Sequence, residues 1–103
     1  MYLVVFRSRK RADIDAPVYE AVAARMEALA ARQPGYIGFK SYTADDGESI
    51  ALSEWTDEAA ALAWRKVAEH AEVQRRGRAE FYESYTLYAG EPVRIHHFPK
   101  DQS

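Results

Sequence analysis

The four strand-like runs of this chain are apolar on both of their faces. They cover residues 3–6, 36–39, 50–52 and 82–88, and few of their positions are clearly suited to water. Strict alternation of apolar and polar residues marks a half-buried strand, whereas near-continuous apolarity marks a strand covered on both sides. Only two segments have helical patterns, and two helices cover one face of a sheet. We therefore predict a homodimer in which a second copy covers the open face of the sheet.

Length and composition indicate one ordinary soluble domain. The 103 residues fit a single domain with a modest core. A net charge of −2 gives no field that favours nucleic acid or an anionic membrane. The absence of cysteine excludes disulfides, thiolate metal sites and a cysteine nucleophile. No apolar run reaches membrane length and no signal peptide precedes the first strand, so we expect a cytoplasmic protein.

The first half of the chain has the pattern of a strand, a helix and a second strand. Residues 2–8 form the first strand, and a polar loop runs from Arg9 to Asp15. Asp15 is a good N-cap for a helix that accepts Pro17 in its first turn. An apolar stripe of helical spacing follows, made of Val18, Val22, Met26 and Leu29. Residues 33–35 end the helix, and the second strand covers residues 36–43.

The second half repeats this order without repeating the residues. The turn at residues 45–47 predicts a hairpin, because Asp-Gly supplies the positive φ angles of a tight turn. The returning strand covers residues 48–55, and the Thr56 hydroxyl caps a second helix that ends near Gly77. The last strand starts near Phe81 or Tyr82. The tail segment from Val93 to Phe98 is again strand-like.

This β-α-β-β-α-β order predicts an α+β fold of the ferredoxin-like type. Its sheet has four antiparallel strands, and both helices lie on one face. We assign residues 1–90 to this domain and residues 91–103 to a C-terminal tail. The tail is a candidate arm that lies on the partner subunit.

The second helix is rich in alanine around one tryptophan. Ala60, Trp64, Val67 and Ala71 fall within one arc, with Trp64 near its centre, so we expect the indole to face the sheet. Small side chains beside it have two explanations. Either the helix packs unusually close to the sheet, or an apolar cleft remains that is able to hold a ligand.

Several segments together resemble the antibiotic biosynthesis monooxygenase domain family. They are the first strand ending in Arg7, residues 33–39, residues 53–55, the Ala63-Trp64-Arg65 segment with His70, and residues 77–85. The resemblance covers about residues 1–90. It implies a dimeric α+β barrel whose ligands lie between the helices and the sheet of each protomer.

The resemblance also implies three kinds of function. Some relatives are cofactor-independent monooxygenases that oxidise aromatic polyketides with oxygen alone, some bind and degrade haem, and many have no known activity. Trp64 and His70 match positions that are often Trp or His in the family. The position of the haem-ligating histidine falls near Gln74, which is a poor ligand for iron, so haem degradation is disfavoured.

A cofactor-free oxygenase needs a pocket that binds a phenol and stabilises its anion. Trp64 is a candidate for stacking on an aromatic substrate, and His70 is the candidate general base at neutral pH. The candidate substrate-binding groups are Tyr19, Tyr82 and Tyr85 as hydrogen-bonding partners and Arg7 and Arg76 as cations. Tyr residues equally suit an ordinary core or a subunit interface.

The spacing of Trp64 and His70 decides whether both side chains can reach one site. Six residues correspond to about 240° around a continuous helix, so the two share a site only if the helix breaks near Glu69. Otherwise His70 is a surface or helix-ending residue.

No metal site or bound cofactor is predicted. His96 and His97 are neighbours on a strand-like segment and point to opposite faces, which disfavours chelation. No glycine-rich phosphate loop supports a nucleotide or flavin.

Two functions from different classes remain. The first is a cofactor-independent monooxygenase acting on an aromatic, polyketide-like molecule. The alternative is a non-catalytic dimeric domain that binds a small ligand or has a stress-related role, and haem binding is a weaker third reading.

Overall fold

The computed structural model describes residues 1–70 and 76–99, with the backbone alone for residues 69, 70, 77 and 78. Its elements follow the predicted order, with a π-helical turn at Gly77–Phe81 before the last strand. They are β1 (Tyr2–Lys10), α1 (Ala16–Ala31), β2 (Tyr36–Thr43), β3 (Ser49–Trp55), α2 (Glu58–His70) and β4 (Tyr82–Gly90). No helix in this described part is long and apolar enough to cross a membrane.

The four strands form one sheet in the order β2-β3-β1-β4. Every pairing in it is antiparallel. β1 lies between β3 and β4 and runs against both, and β2 runs against β3. This order confirms the predicted ferredoxin-like fold. The second strand begins and ends where the hairpin signal predicted, and Gly47 adopts a φ of 90° in the turn.

The two faces of the sheet have different neighbours. Tyr2 and Val4 pack against the core cluster under the helices, so alternate residues of β1 face the helices. We call this side the helix face. Leu3, Val5 and Arg7 point to the opposite side, which we call the open face. Register with β1 places Ile50, Leu52 and Tyr88 on the open face as well.

The core lies at one end of the sheet, around Trp55. Trp55 is fully buried and packs with Ala30 of α1 and Ala61 of α2. Its indole Nε1 donates a hydrogen bond to Ser53 Oγ at 3.0 Å, so the one polar atom of the ring is satisfied inside the core. Both helices therefore pack on the helix face, and among the described residues neither helix lies on the open face.

Two local predictions about β1 and the helix caps are corrected. Arg9 and Lys10 belong to β1 and not to a loop, because β4 continues the ladder that far. Asp15 caps α1 as predicted, accepting a hydrogen bond from Val18 N. The cap of α2 is Asp57, whose Oδ1 accepts from Ala60 N at 2.8 Å, and not the Thr56 hydroxyl. Thr56 instead donates its amide hydrogen to Gly35 O.

The buried side of α2 is rotated from the predicted arc. Ala61 and Ala68 are its buried residues, whereas Ala60, Trp64 and Val67 are half-buried. Alanine at the closest points of contact lets the helix approach the sheet. Ala71 lies outside the described residues. Gly77 begins the π-helical turn, and the chain between His70 and Arg76 lies outside the described residues, so the prediction that α2 or a short extension of it ends near Gly77 stays a prediction.

The described part of the tail is not a strand. Residues 91–99 contain neither helix nor strand, and the side chains of Val93, Ile95 and Phe98 are exposed. An extended segment becomes a strand only when another strand pairs with it, and none of the four described strands pairs with this segment. The division into a domain of residues 1–90 and a tail arm remains a prediction.

Candidate aromatic site between the helices and the sheet

A β-bulge brings two tyrosines of β4 to the helix face. Ser8 pairs with Tyr85 and Arg9 with Ser84, but Lys10 pairs with Tyr82, so Glu83 is an extra residue in β4. In a regular strand, residues three apart point to opposite faces. The bulge reverses that alternation, and both Tyr82 and Tyr85 point toward the helices.

These tyrosines form a cluster with rings from three other elements. The tyrosine cluster comprises Phe6, Tyr19, Phe81, Tyr82 and Tyr85. The Phe6 ring centroid lies 5.2 Å from that of Tyr82 and 5.1 Å from that of Tyr85. Tyr19 of α1 meets Phe81 edge to face at 5.3 Å and Tyr82 at 6.0 Å. Such edge-to-face contacts are favourable geometries for aromatic pairs.

The solvent exposure of the side chains increases across the tyrosine cluster. Phe81 is 3% exposed, Tyr82 is half-buried, and Tyr85 is 42% exposed. The cluster therefore joins a buried aromatic floor to a solvent-exposed aromatic edge at Tyr85.

The phenol of Tyr82 is held in its neutral form. Burial raises the pKa of Tyr82 well above its usual value, and the side-chain hydrogen bond with Tyr19 raises it further. A phenol that stays protonated remains a hydrogen-bond donor over the whole physiological range. Tyr82 is thus suited to bind an oxygen atom and unsuited to act as a base.

Lys10 brings positive charge to the same cluster. Its Nζ donates to Ser49 Oγ at 2.9 Å and lies 5.0 Å from the centroid of the Tyr19 ring. Ser49 lies on the helix face of the sheet and Tyr19 lies on α1. Lys10 therefore also points to the helix face, toward the tyrosine cluster. The sequence interpretation missed Lys10 because it placed that residue in a loop.

Trp64 lies in the core cluster and not among the tyrosines. Its ring stacks on Trp55 with a centroid distance of 6.0 Å and an interplanar angle of 22°. It is half-buried and packs against the cluster of Ala30, Trp55 and Ala61. Of the two explanations for the alanine-rich helix, close packing therefore accounts for this indole.

Arg7 lies on the open face, across the sheet from the tyrosine cluster. Its Nη2 donates to both carboxylate oxygens of Glu48 at 3.1 Å, and its Nη1 donates to Tyr88 Oη at 3.2 Å. The hydrogen bond to Glu48 is the largest of the contacts that raise the pKa of Arg7. The structure does not bring Arg7 together with the other predicted binding residues.

Arg76 borders the tyrosine cluster. Its Nε donates to Glu80 Oε2 at 2.7 Å, and its guanidinium carbon lies 5.6 Å from the centroid of Phe81. His70 ends the described part of α2, and its side chain lies outside the described residues, as does Gln74. The predicted pairing of His70 with Trp64 therefore stays a prediction.

Two grooves lie on the other side of the molecule. A groove of about 270 Å³ runs beside the end of β4 and includes Leu3, Val5 and Tyr88. A second groove of about 440 Å³ follows β2 and includes Tyr42, Leu52 and Glu54. Neither is lined by Trp64 or the tyrosine cluster. Among residues 1–70 and 76–99, no group of three or more acidic, His or Cys residues forms a potential metal site.

Comparison with known proteins gives one family. The model of the family described as antibiotic biosynthesis monooxygenase matches residues 1–76. The uncharacterized protein YqjZ of Bacillus subtilis is 38% identical over 86 residues, which cover 84% of this chain and 74% of that protein.

Solved structures show the same fold at low sequence identity. A variant of SnoaB, a cofactor-independent oxygenase from Streptomyces nogalater, superposes with a TM-score of 0.77 at 21% identity, covering 96% of this chain and 97% of that one. Rv0793 from Mycobacterium tuberculosis superposes with a TM-score of 0.78 at 14% identity, covering 93% and 98%.

Proposed function

The chain belongs to the antibiotic biosynthesis monooxygenase family, and from that premise we propose that it is a cofactor-independent monooxygenase of small aromatic substrates. The substrate is a phenol of polyketide-like type, and molecular oxygen is the oxidant. SnoaB, which shares the fold, is itself a cofactor-independent oxygenase.

The observation that carries this proposal is the tyrosine cluster on the helix face. Its rings offer edges and faces on which a flat substrate stacks, and its hydroxyls offer hydrogen bonds to the substrate oxygens. Deprotonation of a phenol raises the electron density of its ring, which is the condition for reaction with oxygen without a bound cofactor. Donors placed where negative charge develops favour that step.

The residues predicted from the sequence have different roles in this proposal. Tyr19, Tyr82 and Tyr85 bind the substrate oxygens, and Arg76 supplies positive charge at the border beside Phe81. His70 is the proposed base. Trp64 stacks on Trp55 in the core, at the other end of β1 from Lys10 and Tyr82, so this proposal gives it a structural role. Arg7 belongs to the network on the open face.

The proposed assembly is a homodimer that buries the open face. The side chains there are apolar at Leu3, Val5, Ile50 and Leu52, and all four are only partly buried by the rest of the described chain. Apolar patches of this kind mark protein contacts.

A second candidate is a non-catalytic dimeric domain that binds a small ligand. One observation favours it, namely that Trp64 stacks on Trp55 and lines neither of the two described grooves. Haem binding remains a third reading, and a Soret band after addition of hemin would support it.

Oxygen uptake tests the proposal directly. We expect purified protein to consume oxygen and change the absorbance of dihydroxyanthracene-type phenols, with no added metal or cofactor. Tyr82→Phe removes one donor and should lower kcat on the order of a hundredfold. Tyr88→Phe is the matched control, because Tyr88 lies on the same strand but on the open face, and its activity should stay close to that of the unmodified protein.

Two results would contradict the proposal. Binding of these phenols without oxygen uptake would favour the non-catalytic domain. Equal loss of activity in Tyr82→Phe and Tyr88→Phe would mean that the tyrosine cluster is not the reaction site.

A further inference from the structure

Lys10 differs from the other basic side chains of its strand. Arg7 and Arg9 both point to the open face and form ion pairs with Glu48 and Asp46. Arg11, just beyond the strand, forms an ion pair with Asp13. Within residues 1–70 and 76–99, no carboxylate lies within ion-pair distance of Lys10, whose partners are a hydroxyl and an aromatic ring.

Position explains this difference. The arginines at positions 7 and 9 alternate with Lys10 along β1, so the carboxylates that neutralise them are on the other side of the sheet. The bulge at Glu83 sets Lys10 opposite Tyr82, beside the tyrosine cluster. An ammonium group in an aromatic surrounding is less hydrated than one in open water, and an anion near it is stabilised more strongly.

The groups around Lys10 come from three elements. Tyr19 faces it from α1, Tyr82 pairs with its position from β4, and Ser49 binds it from β3. Arg76 lies at the far side of the cluster, over Phe81. Tyr82 keeps its proton, because burial raises its pKa well above the usual value. Near neutral pH, an ionised ligand oxygen would therefore meet one ammonium group and several neutral hydroxyls.

We propose that Lys10 is the anion-binding residue of this site and that the site selects aromatic ligands in their ionised, phenolate form. This inference deepens the proposed function and depends on it for the identity of the site. When a phenol binds, its O–H bond breaks, and its proton passes to solvent, either directly or through the proposed base His70. The phenolate oxygen then takes the place of Ser49 Oγ or joins it at Lys10 Nζ. Tyr19 and Tyr82 then complete the hydrogen bonding of that oxygen.

Ligand titration separates charge recognition from turnover. The probe is para-nitrophenol, whose absorbance reports its ionisation, and para-nitroanisole is the matched ligand that cannot ionise. An opposite charge at this range lowers the pKa of an acid by about one unit or more. We expect the bound phenol to have a lowered pKa in the unmodified protein. Lys10→Met should weaken phenolate binding about tenfold or more, and anisole binding should change by less than about twofold.

Two further variants make the result specific. Lys10→Arg keeps the charge and should retain most of the phenolate preference. Lys40→Met removes a lysine from β2 on the open face and should leave the preference unchanged. Far-ultraviolet circular dichroism checks that Lys10→Met remains folded.

The outcomes are distinct from those of the oxygen experiment. Equal phenolate binding by Lys10→Met and unmodified protein would overturn the assignment of Lys10, even if oxygen uptake continued. Failure of the unmodified protein to bind phenolate more tightly than anisole would overturn it as well. A phenolate preference that depends on Lys10, found without oxygen uptake, would support this inference and contradict the monooxygenase proposal.

Discussion

At the scale of single residues, the candidate site combines a neutral phenol with a positively charged side chain. Tyr82 is a phenol that burial keeps neutral, and Lys10 is an ammonium group beside it on the helix face. The tyrosines were recognised in the sequence as candidate substrate-binding residues because their hydroxyl groups form hydrogen bonds. Lys10 was not, because a short run of basic residues after a strand has the composition of a surface loop. Only the pairing of Lys10 with Tyr82 and Ser49 identifies its place.

Tyr82 should ionise at a higher pH than an unperturbed tyrosine. Its pKa in the folded protein is raised above the usual 10.0, so the folded state holds this proton more tightly than the unfolded state does. The stability that this provides is complete below pH 10.0 and is lost as the pH rises further toward the folded pKa. Phenolate absorbance during alkaline titration checks this, and Tyr82→Phe should remove the latest part of the curve. Loss of an early part instead would contradict the burial of Tyr82.

At the scale of elements, local chemistry predicted most boundaries and missed the bulge. The N-cap at Asp15, the bounds of β2 and the turn at Gly47 follow from the residues themselves. The extra residue at Glu83 does not, because a bulge depends on how β1 and β4 align over their whole length. For the same reason the sequence could not say that Arg7 and Tyr82 face opposite sides. A shift of one residue exchanges the faces of a strand.

The cap of α2 provides a test at this scale. Asp57→Ala leaves Ala60 N without its side-chain acceptor and should lower the free energy of unfolding by about 1 kcal/mol. Asp57→Ser keeps a capping oxygen and should lose little. Urea unfolding measures both. If Thr56→Val destabilised the protein more than Asp57→Ala, the Thr56 hydroxyl would be the effective cap.

At the scale of the whole molecule, the described helices both lie on one side of the sheet. The helices bury Trp55 and its neighbours at one face, while Val5 and Leu52 pair side by side on the other. The arrangement agrees with the two-sided apolarity seen in the strands. The tail, with Val93 and Ile95 exposed, adds apolar surface beyond the end of β4.

Charges placed on the open face should disrupt the assembly. Val5→Asp or Leu52→Asp should give insoluble protein or an unstable monomer, because a carboxylate would be buried in the subunit contact without a partner. Leu62→Asp is the matched control, since Leu62 lies on α2 and is 46% exposed. Sedimentation measures the association state. A soluble, fully folded monomer from either open-face variant would show that this surface normally meets water.

The inserted residue at Glu83 also affects how relatives should be compared. Upstream of it, Tyr82 faces the helices although it has an even number, whereas the residues of β4 that face the helices downstream have odd numbers. A homologue without the extra residue would therefore present a different side chain to the helix face at this position. Matching such proteins by identity alone would equate residues that face opposite directions. Alignments across this strand should be anchored on ladder partners of β1, and ligand preference within the group can then diverge through a change of one residue in strand length.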